Sequence, residues 1–325
     1  PIYGGLEHKN SCVLSSDFIA VSGQIREKYI EFLGLVSHEL LHAWHVKRLK
    51  PLVFEQPDLT QEVYSELLWL FEGFTAYYDD LLLWRAQIIT KQEYIKLLQK
   101  TTNRCLPLPG NNIQSVAEAS YQAWVKLYQP HAQSVNMNAN YYTKGAVLAL
   151  ILDLYLQKHH SSNTDILLQA LWNNHGVTNK PIVLDDFNTI LREISDSKTV
   201  NWWHKLIYGT HNLADILKQY LPVMKLQLKP AKPQQDNYLH YGIALADNMQ
   251  IKYVIDNSIA QIAGMQPGDI LVACNNYKIT QDNFKYLLAT FAQKTVIFHY
   301  FRQHNLYTAE WYLDSSKFIV EYELY

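Results

Sequence analysis

The chain has 325 residues, of which 48% are hydrophobic and 18% are charged, so it can form a sizeable core and is not a disordered chain. Lys plus Arg number 28 and Asp plus Glu number 30, a balance that argues against a dominant nucleic-acid surface. No run of about 18 consecutive apolar residues occurs, so we expect no transmembrane helix. Its three cysteines are far apart, which argues against a disulfide scaffold and a cysteine-rich zinc site.

The chain opens at Pro1 without an initiator Met, a basic segment or an apolar leader. We therefore interpret it as a fragment or a processed form, and any signal peptide would lie upstream of it. We expect a cytoplasmic rather than a secreted protein.

The first part of the chain has apolar residues at helical spacing. Pro51 blocks continuation of the first long helix, and Asp58 or Thr60 would cap the second. The predicted helices span Glu31–Lys47, Leu59–Ile88, Tyr94–Thr101, Val116–Leu127, Lys144–Leu156, Asp165–Trp172, Asp186–Ile194 and Leu213–Tyr220.

The last part of the chain has the pattern of short strands. Residues 228–237, rich in Pro and polar side chains, are typical of a linker between the two parts. A helix over Gln281–Ala292 would complete a small α+β module. The predicted strands span Tyr241–Leu245, Ile251–Ile255, Ile270–Cys274, Thr295–Tyr300 and Leu306–Leu313.

The segment His38-Glu39-Leu40-Leu41-His42 predicts a metal site. Two histidines four residues apart lie one above the other on a helix, so both can bind one ion, and Glu39 beside them can hold a water. A catalytic zinc takes three protein ligands and keeps one open position. Glu62, Glu66 and Glu72 are the candidates for the third ligand.

Other carboxylates have candidate roles around this metal site. Asp79 returns to the helix face of Glu72 after seven residues and could accept the second N–H of a zinc-bound histidine. The adjacent Gly4 and Gly5 suit an edge strand that a peptide approaches closely, and Glu7 follows them. A carboxylate there could bind the free α-amine of a substrate.

Together, these motifs resemble the glycyl aminopeptidase family of gluzincins. The resemblance rests on G-G-L-E-H at residues 4–8, H-E-x-x-H followed by K-R-L-K-P at residues 38–51, and L-L-W-x-x-E-G-F-T-x-Y-Y at residues 67–78. It implies that Glu72 is the third zinc ligand. His45 departs from the family pattern, in which we expect Asn.

The segment Asn140–Ala146 is similar to the Y-x-K-G-A stretch of the wider aminopeptidase group. The resemblance implies that the hydroxyl of Tyr142 stabilises the tetrahedral intermediate, as an oxyanion-hole donor does. Tyr141 is the alternative.

The segment Ala260–Leu271 resembles the A-G-L-x-x-G-D-x-I stretch of PDZ domains. Tyr241, Gly242 and Ile243 would then form its carboxylate-binding loop, to which an extended peptide could add as a strand. A PDZ fold that binds no peptide is the other reading.

The resemblance implies a mainly α, thermolysin-like (gluzincin) catalytic domain at 1–227, a linker at 228–237 and a small α+β PDZ-like domain at 238–325. It implies an aminopeptidase with one Zn²⁺ per chain that removes small N-terminal residues such as Gly or Ala from peptides or proteins. Glu39 would take a proton from water. A zinc endopeptidase with the same site and a catalytically silent peptide-binding scaffold remain alternatives.

Overall fold

The computed structural model describes residues 3–231, 238–291, 295–313 and 319–325. Two clusters of buried apolar side chains organise these residues. The first extends from Ile30 to Leu228 and also includes Leu324, whereas the second extends from Tyr241 to Trp311.

The first region is mainly helical. Two π-helical turns, Trp69–Gly73 and Trp172–Gly176, adjoin the ends of its α-helices. The helices span Phe18–Ser22 (α1), Arg26–His42 (α2), Phe74–Arg85 (α3), Lys91–Asn103 (α4), Val116–Tyr121 (α5), Ala123–Lys126 (α6), Ser134–Met137 (α7), Tyr141–His160 (α8), Thr164–Leu171 (α9), Leu184–Glu193 (α10), Ser197–Tyr208 (α11) and Leu213–Tyr220 (α12).

Helix α8 lies at the centre of the first region and is apolar on nearly all sides, as expected for a buried helix. Asn140 caps its start by accepting hydrogen bonds from the backbone N–H groups of Tyr142 and Thr143. Helix α2 and the π-helical turn Trp69–Gly73 carry the predicted metal ligands.

The second region is built from strands and two short helices, Ile259–Ile262 (α13) and Phe284–Thr290 (α14). Its larger sheet is antiparallel with the strand order β7-β6-β8-β9, and β4 pairs with β5 beside it. The strands of the whole chain span Gly4–Glu7 (β1), Cys12–Ser15 (β2), Leu228–Pro230 (β3), Ile243–Leu245 (β4), Ile251–Val254 (β5), Ile270–Cys274 (β6), Tyr277–Lys278 (β7), Thr295–Arg302 (β8), Asn305–Tyr312 (β9) and Tyr322–Leu324 (β10).

The predicted helix over Leu59–Ile88 is wrong in its first third. Asp58 accepts hydrogen bonds from the backbone N–H and the hydroxyl of Thr60, so it closes a local turn instead of capping a helix. Regular α-helix begins only at Phe74, after the π-helical turn. The first predicted helix ends early, at His42, and residues 43–48 form turns.

The predicted linker at 228–237 begins with a strand. Strand β3 pairs with β10, and Leu228 and Leu324 both pack in the first core. Burial of these leucines explains why the chain returns to the first region after the second. Residues 232–237 of the predicted linker and Ala292 of the predicted last helix lie outside the described residues.

Asn136 of helix α7 joins the two regions. Its buried side-chain amide donates to the carbonyl of Val254 at 2.8 Å and accepts from the backbone N–H of Asp256 at 2.9 Å. The second region is therefore held against the first by backbone-directed hydrogen bonds.

Candidate metal centre and substrate cleft

Three side chains meet where α2 packs beside the π-helical turn. Oε2 of Glu72 lies 3.3 Å from Nε2 of His38 and 3.2 Å from Nε2 of His42. Donor atoms about 2.0–2.2 Å from one tetrahedral ion lie about 3.3–3.6 Å apart, so this spacing fits a shared ion. Two imidazole nitrogens and one carboxylate form a donor set that catalytic zinc sites use.

The second nitrogen of each histidine, Nδ1, has a hydrogen-bond acceptor of its own. Nδ1 of His42 lies 3.2 Å from the carbonyl oxygen of His45, which can only accept a hydrogen bond. Nδ1 of His38 lies 3.2 Å from Oδ2 of Asp79. Each Nδ1 therefore donates a hydrogen bond, and each Nε2 faces the carboxylate of Glu72. An ion bound at this point would take the place of the hydrogen bonds between the two Nε2 atoms and that carboxylate.

The charges around the three side chains favour a cation. Burial alone would lower the pKa of His38, but its hydrogen bonds with Asp79 and Glu72 outweigh burial and raise it to about 10. Burial alone would raise the pKa of Glu72, but its hydrogen bonds from His38 and His42 lower it to about 2. The carboxylates thus stabilise positive charge at this point.

Two glycines allow the turn that carries Glu72 to approach α8. A Cβ atom at Gly73 would lie only 2.5 Å from the Cα of Gly145. Any larger residue at either position would separate the backbones. This close contact places Glu72 beside the start of α8, where Tyr142 lies.

Glu39 is buried beside the metal ligands, with 7% of its surface exposed. Its Oε2 has no hydrogen-bond partner among the described residues. Burial raises its pKa, and the positive charges of His38 and His42 oppose that shift. A carboxylate with unused acceptor capacity and a raised pKa is suited to accept a proton.

Strand β1 lies against Glu39, and its two glycines have different surroundings. A Cβ atom at Gly5 would be 2.2 Å from Oε1 of Glu39, whereas nothing lies within 4 Å of the Cβ position at Gly4. Gly5 therefore makes room for the Glu39 carboxylate. No pattern in the sequence indicates this contact.

In the structure, Glu7 forms an ion pair with a lysine. Oε1 of Glu7 lies 2.8 Å from Nζ of Lys47, in the K-R-L-K-P segment after the second histidine. An α-amine bound by Glu7 would share the carboxylate with Lys47 or displace Lys47 from it.

Tyr142 lies on the metal side of α8. Its ring centre is 6.4 Å from that of His38, and it stacks on Tyr141. Burial, followed by the negative charge of Glu72, raises the pKa of Tyr142, so its hydroxyl keeps its proton and can donate. The hydroxyl of Tyr141 is instead 3.0 Å from that of Tyr128.

His45 connects the two segments that carry the ligands. Its Nε2 lies 2.9 Å from the carbonyl oxygen of Leu70 on the π-helical turn, and its own carbonyl accepts from His42. Burial lowers the pKa of His45 to about 4, so the ring is neutral. Of the other carboxylate candidates, Glu66 accepts a hydrogen bond from Tyr208 at 3.0 Å.

The predicted peptide loop of the second region is largely closed by its own contacts. The N–H of Gly242 donates to the carbonyl of Leu239, and its carbonyl accepts from Ile255. A Cβ atom at Gly242 would lie 2.0 Å from that of Ser258. Tyr241 ends a 3₁₀ turn, and Ile243 begins β4.

Comparisons with known proteins show what the fold and part of the chain are similar to. A solved aminopeptidase N family protein from Idiomarina loihiensis superposes with a TM-score of 0.85 and 28% sequence identity. The match covers 99% of this chain but 58% of that one, so this chain spans somewhat more than half of its relative. The comparison with curated proteins gives no match.

In its fold, the chain is therefore similar to the aminopeptidase N family. The family model of M61 glycyl aminopeptidases matches residues 31–148, which include both histidines, Glu72 and Tyr142. The resemblance to glycyl aminopeptidases is thereby confirmed. In the described ranges, no helix has the length and apolar character needed to cross a membrane.

Proposed function

We propose that this protein is a zinc-dependent aminopeptidase with a gluzincin catalytic domain. The observation that carries the proposal is the convergence of His38, His42 and Glu72 beside the unpartnered oxygen of Glu39. Zinc held by the three ligands would lower the pKa of water and polarise the scissile carbonyl.

The chain's own residues supply proton transfer and positioning. Glu39 accepts a proton from the attacking water and delivers it to the leaving amine. The hydroxyl of Tyr142 donates a hydrogen bond to the oxygen that becomes negative, a contact worth about 3–4 kcal/mol in comparable sites. Asp79 and the carbonyl of His45 hold the two imidazoles in the required tautomer.

Substrate recognition is proposed to involve strand β1. Among the described residues, β1 pairs only with β2, so a peptide could run along its other edge at Gly4 and Gly5. Glu7 would bind the α-amine, and small residues such as Gly or Ala would be preferred at the N-terminus. The preference for small residues draws on the family match, whereas Gly4, Gly5 and Glu7 precede the matched residues 31–148.

The test uses zinc-loaded protein with Gly- and Ala-peptides and their N-acetylated twins. Cleavage of the free-amine peptides alone supports the aminopeptidase, because acetylation removes the charge that Glu7 would bind. Cleavage of neither set would contradict the proposed activity and favour a silent peptide-binding scaffold.

The ion pair between Glu7 and Lys47 favours one alternative, a zinc endopeptidase with the same metal site. If Lys47 keeps Glu7 occupied, the α-amine has no dedicated partner, and the acetylated peptides would be cleaved equally well. The variant Lys47→Gln separates the two cases, since it should increase the preference for free amines only in an aminopeptidase.

We further propose a catalytic domain that begins with residues 1–227 and is completed by strands β3 and β10, a linker that follows β3, and a PDZ-like domain that begins at residue 238. Limited proteolysis between residues 231 and 238 tests this division. Peptide binding at Tyr241, Gly242 and Ile243 is tested by titration with C-terminal peptides, and their amidated forms are the control.

A further inference from the structure

A cleft of about 580 Å³ opens beside Glu39, and its volume is in the range of ligand sites. It lies between the hairpin turn at residues 8–12, the end of α2 and the π-helical turn Trp172–Gly176. Since Glu39 is the proposed proton acceptor, a cleft that contains it opens onto the reacting bond.

Two tryptophans give this cleft an apolar wall. Trp44 and Trp172 line it, and they also line an adjoining apolar pocket of about 310 Å³. A Cβ atom at position 176 would lie 2.2 Å from the indole of Trp172, so Gly176 is what lets that ring lie flat against the turn.

The charges in the cleft are mostly positive. Lys9 and Arg48 line it, and Glu39 is its only acidic lining residue. Arg48 donates to the carbonyls of Ala43 and Lys9 and to the side chain of Asn10, all neutral acceptors. Among the described residues, neither cation has a carboxylate within ion-pair distance, unlike Lys47, which has Glu7.

We propose that this cleft binds a substrate carboxylate on the C-terminal side of the scissile bond. The inference rests on the proposed aminopeptidase function and adds a substrate class to it. A free α-ammonium would be repelled by Lys9 and Arg48, whereas a carboxylate would gain charge-assisted hydrogen bonds. Short peptides with a free C-terminus, or peptides with Asp or Glu after the cleaved bond, meet this requirement.

The first experiment compares Gly-Phe with Gly-Phe-amide, and Gly-Phe-Asp-amide with Gly-Phe-Asn-amide. In at least one of the two pairs, the carboxylate should contact Lys9 and Arg48. In that pair, we expect KM to be about 10-fold lower for the peptide with the carboxylate than for the peptide with the amide. Preference in the first pair identifies the terminal carboxylate as the ligand, and preference in the second identifies an acidic side chain. Equal KM values within both pairs would overturn the proposal.

Variants locate the effect in the cleft. Lys9→Gln should reduce the preference roughly 2- to 5-fold, since the side chain is exposed. Lys91→Gln makes the same change of net charge on α4, away from the cleft, and should leave the preference unaltered. Arg48→Lys should retain more of it than Arg48→Gln. Equal preference in Lys9→Gln and Lys91→Gln proteins would contradict the assignment.

Binding without turnover separates this inference from the proposed activity. Calorimetric titration of Gly-Phe and Gly-Phe-amide into the Glu39→Gln protein measures the same preference when no bond is cleaved. Tighter binding of the free acid would support the cleft assignment even if the wild-type protein hydrolysed no peptide. Equal affinity would refute the assignment whatever the activity.

Discussion

Glu39 and Asp269 are both buried carboxylates, one in each region, but their surroundings differ. Both oxygens of Asp269 accept hydrogen bonds from Arg302 at 2.8 Å, and one also accepts from the backbone N–H of Gln266. Oε2 of Glu39 has no partner among the described residues and lies beside three potential metal ligands. The comparison teaches that a satisfied buried charge supports the fold, whereas an unsatisfied one is available for chemistry.

The largest expected effect comes from Glu39→Gln. Loss of the proton acceptor should reduce kcat/KM at least about 100-fold, while zinc content and the unfolding midpoint are maintained. Activity assays with metal analysis on the same sample measure both. Wild-type activity in this variant would remove Glu39 from the mechanism.

Asp269→Asn should reduce stability and leave the activity of the folded protein unchanged, in contrast to Glu39→Gln. Breaking its bidentate pair leaves Arg302 without its charge partner and should cost about 3 kcal/mol in the free energy of unfolding of the second region. Residual folded protein should keep its kcat/KM. The exposed Asp282→Asn serves as the control, and a stability loss equal in both variants would contradict the structural role of Asp269.

Asp79→Ala tests the partner of His38. Without the acceptor, the ring loses its fixed tautomer, and zinc affinity should fall about 10- to 100-fold. Competition with a zinc chelator measures this affinity. Unchanged affinity would show that Asp79 has no influence on the metal centre.

Gly5→Ala should displace the side chain of Glu39 without changing its chemical nature. The added methyl group would overlap Oε1 of Glu39, so we expect kcat/KM to fall about 10-fold with a smaller change in stability. If the unfolding midpoint fell sharply and the remaining folded protein had full activity, the contact would be structural only.

The pH profile gives the smallest effect. Burial raises the pKa of Glu39 above the ordinary 4.5, so the carboxylate becomes protonated, and inactive as a base, as pH falls through that raised value. The acid limb of kcat/KM should therefore lie above pH 4.5 and stay in place in Asp269→Asn protein. A limb that moved in that variant would not belong to Glu39.

Local sequence patterns predicted the two histidines of the candidate site, and the family resemblance selected Glu72. The i, i+4 spacing places His38 and His42 on one helix face, and the motif around Glu72 marked its carboxylate. Helix α11 is absent from the predicted helices, even though Asp196 is an N-cap. The helix that was predicted to begin at Leu59 does not form there, because the side chain of Asp58 closes a local turn with Thr60.

Contacts between distant segments could not be predicted from one sequence. The proximity of Gly5 to Glu39, the pairing of Glu7 with Lys47 and the return of β10 to β3 all depend on how elements pack. Periodicity and motifs specify single elements. They do not specify which side chain of one element meets which of another.

The most direct test is a zinc titration of chelator-treated protein, with hydrolysis of a glycyl peptide as the readout. The account predicts that activity rises with added zinc and levels off at one ion per chain. Glu66→Gln protein should follow the same curve, whereas Glu72→Gln protein should neither bind zinc tightly nor gain activity. Full activity after chelation, or a normal curve for Glu72→Gln, would contradict the proposed metal centre.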